Sequence, residues 1–223
     1  MKKWLQATGI ALIFGVLTAC GTDGNQGAGS EEVNVGYFPN LDHAAAIVGK
    51  EKGYFQEELG ETKALFSSFS NGNDFIEELE AGTIDIGYVG PGPAISYYLS
   101  GGDVVILGTA ANGATLIVSR EDSGIESLDD FGGKSFCTPG NGCTHNVQLE
   151  MMLKELGLES NRVGGTVEHQ SRIPPASMVA MFEQGQIDAA AAPEPWGTYL
   201  VEELNANVVA EWMMFFLVKP YLA

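Results

Sequence analysis

Two stretches decide how this chain is read: AGTIDIGYVGPGPA, residues 81–94, and QGQIDAAAAPEPWG, residues 184–197. Each runs Gly, any residue, Ile-Asp, a few small apolar residues, then Pro-x-Pro. Gly82 and Gly185 suit the left-handed residue that ends a helix. The apolar run after each glycine suits a short buried strand, and the prolines suit the first turn of the next helix. A chain that repeats helix cap, strand and helix start has two units built on one plan.

Working outward, apolar runs alternate with helical patterns. Strands are expected at Val33 to Phe38, Lys63 to Phe69, Ile84 to Val89 and Val104 to Thr109, and helices at Ala44 to Gly53, Asn73 to Glu80 and Pro93 to Leu99. The pattern then restarts. Strands are expected at Ala114 to Ser119, Lys134 to Thr138, Val163 to Glu168, Ile187 to Ala192 and Val208 to Trp212. Helices are expected at Asn146 to Leu156, Ser177 to Gln184 and Trp196 to Leu204, with a short turn at Leu128 to Phe131. This alternation predicts an α/β fold with lobe 1 over 33–113 and lobe 2 over 114–212. In open α/β sheets ligands bind beyond the carboxyl ends of the strands, where helix N-termini present free N–H groups. Two such ends facing each other make a clamp. Ile84, Asp85, Ile187 and Asp188 themselves read as packing.

Length and composition agree. The 223 residues are 45% apolar, enough for a core, and the formal charge of −18 argues against nucleic acid and anionic lipid head groups as partners. The beginning reads as an export signal. Met1-Lys2-Lys3 is a basic start, Leu5 to Val16 an apolar core too short to span a bilayer, and Leu17-Thr18-Ala19-Cys20 resembles the lipobox of bacterial lipoproteins. Residues 1–20 are therefore expected to be a lipoprotein signal peptide with Cys20 lipidated. Residues 21–32 are expected to form a flexible tether from the membrane surface.

Gly36-Tyr37-Phe38-Pro39-Asn40-Leu41-Asp42-His43, Gly49-Lys50-Glu51-Lys52-Gly53-Tyr54-Phe55, Asp85 to Ile95, Gly132-Gly133-Lys134 and Pro193-Glu194-Pro195-Trp196 together resemble the substrate-binding proteins of the aliphatic sulfonate, taurine and nitrate group of ABC importers. The resemblance implies a two-lobed periplasmic-binding-protein fold of type II, each lobe a mixed sheet flanked by helices. Such a fold closes on a small anionic or zwitterionic ligand and delivers it to a membrane permease. It also implies that residues 213–223, with Phe215 to Val218, return as a hinge strand toward lobe 1. Because members of that group run further, the chain reads as a fragment whose first lobe exposes apolar surface.

The residues expected to meet the ligand use dipoles more than charges. Asn40 and His43 start the first helix, Ser70 and Asn71, in the stretch from Ser70 to Asn73, the next, Gly90 the third, and Asn112 precedes the crossing between lobes. Thr138, Asn141, Thr144 and His145 belong to a glycine-rich loop before a helix that Thr144 is expected to cap, the strongest single anion site. Glu194 suits an amine, and Trp196 either covers the ligand or packs in the core. Cys137 and Cys143 are candidates for a disulfide at the base of that loop, free thiols being the alternative. Cys143 and His145 as a nucleophile with its base, or as zinc ligands, are disfavoured, because no further ligand has suitable spacing. His43 is equally a structural histidine or a ligand contact, and His169 reads as surface. No metal, cofactor or catalytic residue is implied. The alternatives are a thiamine-precursor pyrimidine binder, with Tyr37, Tyr88 and Trp196 for stacking, and an enzyme on the same fold.

Overall fold

The computed structural model describes residues 32–113 and 115–211. The doubled phrase folds alike in both copies. The Asp85 carboxylate accepts hydrogen bonds from the Asn34 backbone N–H and side-chain amide at 2.8 and 3.0 Å. The Asp188 carboxylate accepts from the backbone N–H and hydroxyl of Ser135 at 2.8 and 2.9 Å. Each aspartate thus pins its own strand to the neighbouring strand at the same place in its lobe.

Lobe 1 comprises β1 (Glu32–Tyr37), α1 (Ala44–Lys52), α2 (Tyr54–Leu59), β2 (Lys63–Ser68), α3 (Gly72–Glu80), β3 (Ile86–Gly87) and α4 (Pro91–Leu99). Its strands lie in the order β2-β1-β3, all parallel. Phe38, Phe75 and Ile84 form the core on one face, with Phe69 edge-on to Phe75 at 5.6 Å. Gly36 and Gly87 are required there, because a Cβ at either would stand 2.6 or 2.5 Å from the Phe75 ring. The other face carries a groove of about 390 Å³ lined by Val33, Val35, Tyr54, Phe55, Ile86 and Tyr88 among others.

Lobe 2 comprises β4 (Thr115–Ser119), β5 (Ser135–Cys137), α5 (Thr144–Glu155), β6 (Glu168–Gln170), α6 (Pro175–Glu183), β7 (Ala189–Pro193), α7 (Trp196–Leu204) and β8 (Asn207–Glu211). The five strands lie in the order β6-β5-β7-β4-β8; β5 is parallel to β6 and β7, and β4 is antiparallel to β7 and β8. This sheet is mixed and buried on both faces. Successive residues point to opposite sides, so Ile117, Phe136, Ala189 and Ala191 join Leu149, Met152 and Leu153 of α5. Val118, Cys137, Ala190 and Ala192 join Met178, Phe182 and Leu200 of α6 and α7. Alanines along central β7 let helices approach closely from both sides, and each large core side chain contributes roughly 1.5–3 kcal/mol by leaving water.

Four expectations need correction. Val104 to Thr109 forms no strand; Val105, Ile106 and Leu107 are 66–78% exposed, so their apolarity has no sheet or core among the described residues to serve. The strand expected at Val163 to Glu168 is displaced to Glu168–Gln170 by a helical turn at Asn161–Val163 and by Gly164 at φ 94°. The chain turns at Gly53, φ 75°, into a second helix, α2, that the pattern did not separate. Cys137 and Cys143 are not bonded: both thiols are free and buried, Cys137 pointing into the cluster with Met178 and Ala190 while Cys143 heads α5. Cys20, residues 21–31 of the expected tether and the expected Phe215 to Val218 strand lie outside the described residues, while Glu32, expected to end the tether, begins β1.

Candidate functional site

The parallel strands of both lobes deliver their C-terminal ends to a common seam. From lobe 1 come the one-turn helix Leu41–His43 after β1, the start of α3, and the Gly90 start of α4. From lobe 2 come the loop between β5 and α5 and the Glu194–Trp196 segment after β7. The Leu41 N–H donates to the Glu194 carbonyl at 2.8 Å, and the Gly92 N–H donates to Thr144 Oγ1 at 3.2 Å. A Cβ on Gly92 would lie 2.9 Å from both the Gly142 carbonyl oxygen and the Thr144 nitrogen, and one on Gly90 would collide with Thr144 Oγ1. A Cβ on Gly140 would stand 2.5 Å from Asn73 Oδ1. The backbones of α4 and α5 therefore touch at their N-termini, and only glycine permits the approach.

Several side chains at this seam carry buried polar atoms without a hydrogen-bond partner: Asn40 Oδ1, Asp42 Oδ1, His43 Nδ1, Asn73 Oδ1 and His145 Nε2. Buried polar groups are ordinarily hydrogen-bonded, and among the described residues these atoms gather at the seam, the others being scattered at Arg120, Gln148, Ser160, His169 and Ser171. Asp42 Oδ2 stands 3.8 Å from His145 Nε2. Burial, and secondarily the Glu194 carboxylate, push Asp42 up to about 7, while burial pushes His43 and His145 down to about 4, His43 adding to the effect on His145. Both imidazoles are neutral at neutral pH, so the Asp42 contact is not an ion pair. The arrangement offers neutral donors and acceptors beside a helix N-terminus, with half a positive charge from α5.

The expected site residues divide. His43, 7% exposed, lies in the seam with its ring 4.6 Å from Phe38 and edge-on to Tyr88 at 6.5 Å. Asn40, Gly90, Thr144 and His145 lie there too. Thr144 does not cap α5; Cys143 occupies that position and the Thr144 hydroxyl reaches across to lobe 1 instead. Asn71 caps α3, its side chain accepting from the Asn73 and Asp74 N–H groups, and Ser70 is exposed beside it. Thr138 is buried and bonded within lobe 2, and Asn141 and Asn112 are exposed. The Glu194 carboxylate accepts from the N–H and hydroxyl of Thr198 in the first turn of α7 at 2.8 and 2.9 Å, and its charge still reaches Asp42 in the seam. Trp196 packs on the cluster around Val118 and Leu200, as a core aromatic. His169 is buried, 8% exposed, not on the surface.

Sequence reasoning missed Asp42, although it carried a signal in lying between Asn40 and His43. Asn73, at the end of the stretch from Ser70 expected to meet the ligand, does reach the seam, and its closeness to Gly140 is purely tertiary.

Two α/β lobes that meet along the carboxyl ends of their strands define the periplasmic-binding-protein fold. The chain belongs to the NMT1-like family, whose model matches residues 26–210. It is similar to the nitrate import ATP-binding protein NrtC of Synechocystis, 28% identical over 205 residues, 82% of this chain and 30% of that protein. Among solved structures it resembles the alkanesulfonate-binding protein SsuA from Xanthomonas axonopodis pv. citri bound to MOPS (TM-score 0.68, 23% identity, 81% of this chain and 61% of that one). It also resembles the periplasmic nitrate-binding protein NrtA from Synechocystis (TM-score 0.63, 17% identity, 82% and 52%). The chain thus spans less than two thirds of each, and likeness at this identity shows the fold.

Proposed function

We propose that this protein is the extracytoplasmic binding component of an ABC importer, lipid-anchored through Cys20, that captures a small anionic or zwitterionic ligand between its lobes and hands it to a permease. The observation that carries the reading is the seam itself: unpaired buried atoms of Asn40, Asp42, His43 and His145 beside the N-terminus of α5, where the two lobes touch. An oxyanion is held there by the first-turn N–H groups of α5 and by neutral imidazole donors. The NMT1-like family, and relatives whose names concern nitrate and alkanesulfonate, support sulfonate or nitrate as the ligand class. The family and those transport-related names favour binding over catalysis, and a ligand recovered chemically unchanged after incubation is the corresponding test. The return of residues 213–223 toward lobe 1 belongs to the same proposal, and the apolar groove beside β3 is the surface that favours it.

A second reading keeps the fold and changes the ligand. Asn40 Oδ1, Asp42 Oδ1 and Asn73 Oδ1 are all acceptors without donors, which favours a ligand with N–H groups, an aminosulfonate or an aminopyrimidine. Thermal unfolding against ethanesulfonate, taurine, nitrate, bicarbonate and a thiamine-precursor pyrimidine separates the readings. A ligand at about a hundred times its dissociation constant adds about 2.7 kcal/mol of stability. A shift with sulfonates or nitrate supports the first reading and a shift with the pyrimidine alone the second. A cooperative transition unmoved by the whole panel would overturn both.

A further inference from the structure

His169 lies outside the seam, in the interior of lobe 2, yet both limbs of the loop that shapes the seam trace back to it. Its ring stacks on Phe136 at 4.6 Å and 11° between planes, and β6 pairs it with Phe136 on β5. On one side His169 Nε2 lies 2.8 Å from Thr138 Oγ1, and that hydroxyl donates to the Gly140 carbonyl at 3.2 Å. The Thr138 hydroxyl therefore links the His169 ring directly to the Gly140 limb of the loop.

On the other side Nδ1 faces the Glu150 carboxylate at 4.0 Å. Glu150 Oε1 accepts from the Asn146 amide at 3.3 Å, and Asn146 Oδ1 accepts from the Gly142 N–H at 2.8 Å. Gly140 and Gly142 are the residues whose backbones meet Asn73 and Gly92 of lobe 1. The two chains of contacts, through Thr138 and through Glu150, reach these two glycines separately. Both chains start from His169, outside the seam, and the proposed ligand reading makes no use of His169, Glu150 or Asn146.

We infer that His169 is the positioning residue of the 138–143 loop, an imidazole that sets the loop from beneath so that Gly140, Gly142 and the start of α5 meet lobe 1 in register. The functional weight of the inference rests on the reading of that loop as the binding edge of lobe 2, but the mechanical part does not depend on any ligand. Cys143, buried at the end of the loop, and Cys137, buried on β5 before it, make a paired probe. Loop release exposes Cys143 alone; loss of the fold exposes both.

The test is the rate of maleimide labelling of each cysteine in the full chain, resolved from Cys20 by peptide mapping. His169→Phe keeps the stack on Phe136 and removes the polar contacts; His169→Gln restores a side-chain N–H for Thr138. Losing a buried hydrogen bond and leaving its partner unpaired shifts a local equilibrium by about tenfold. Cys143 labelling is therefore expected to quicken about tenfold in His169→Phe with Cys137 unchanged, and to return to near the parent rate in His169→Gln. An unchanged Cys143 rate, both cysteines quickening together, or a glutamine variant as fast as the phenylalanine one would each overturn the inference. None of these outcomes bears on the ligand panel, so failure here is distinct from failure of the proposed function.

Discussion

Asp42 is the residue at which the physical chemistry of the seam is most exposed to measurement. Its carboxyl is held near 7 against 3.8 for the free side chain, so the folded protein keeps a proton that the unfolded chain has released. That stabilises the fold below about pH 4 and is lost as pH rises toward 7. His43, His145 and His169 act oppositely: each is lowered from 6.5 to about 4, so between those values the unfolded chain binds protons that the folded one refuses. Three histidines outweigh one aspartate from about pH 4 to 6.5, and stability rises there; above 6.5 only Asp42 remains, and stability declines toward 7. In Asp42→Asn the rise is expected to steepen and the decline to vanish, as read by unfolding temperature between pH 4.5 and 7.5. Parallel profiles for the two proteins would refute this assignment.

At the scale of elements, α4 of lobe 1 and α5 of lobe 2 meet at their N-termini, and the proposed closure on a ligand has to pass through that contact. Helix α4 begins at Pro91 after the cap Gly90, and its second residue, Gly92, lies on the first turn of α5. The neighbours of a Cβ at Gly92 are backbone atoms of Gly142 and Thr144, which cannot rotate aside as a side chain does. Gly92→Ala is expected to cost closure about 1–3 kcal/mol, the range for inserting a methyl into a packed contact. The affinity for whichever panel ligand binds then falls about tenfold while the unfolding transition of the free protein stays cooperative. An affinity equal to the parent's, by titration calorimetry, would show that the lobes need not approach this closely.

Taken whole, the molecule is uneven. Lobe 2 has a five-stranded sheet buried on both faces, with all of β7 buried. The described part of lobe 1 has three parallel strands, a small cluster of aromatic residues on one face and an open apolar groove on the other. Local opening follows such differences in burial. Amides of β4 and β7 are expected to exchange at least about tenfold more slowly than those of β2, by hydrogen exchange and mass spectrometry. Equal protection across both lobes would mean that residues beyond those described complete lobe 1 as firmly as lobe 2.

The sequence by itself determined the plan: two α/β units, their order, most helices and strands, and the seam where the strand ends meet. Those features rest on local signals, glycine caps, proline helix starts and apolar runs, that act within a few residues. It also pointed to Asn40, His43, Gly90, Thr144 and His145, because helix starts beyond strand ends are where such folds present free N–H groups. Only the tertiary structure decided what each side chain does there. Val104 to Thr109 reads as a strand, but a strand needs a neighbour to bond. Glu194 reads as a cleft carboxylate, and the fold adds a partner one turn away, Thr198, that fixes its orientation. His169 reads as surface, but Phe136 on the adjacent strand stacks over it. Asp42 acquires its raised pKa, and Asn73 its closeness to Gly140, from residues remote in the chain, and no local pattern encodes a desolvation or a contact made across two lobes.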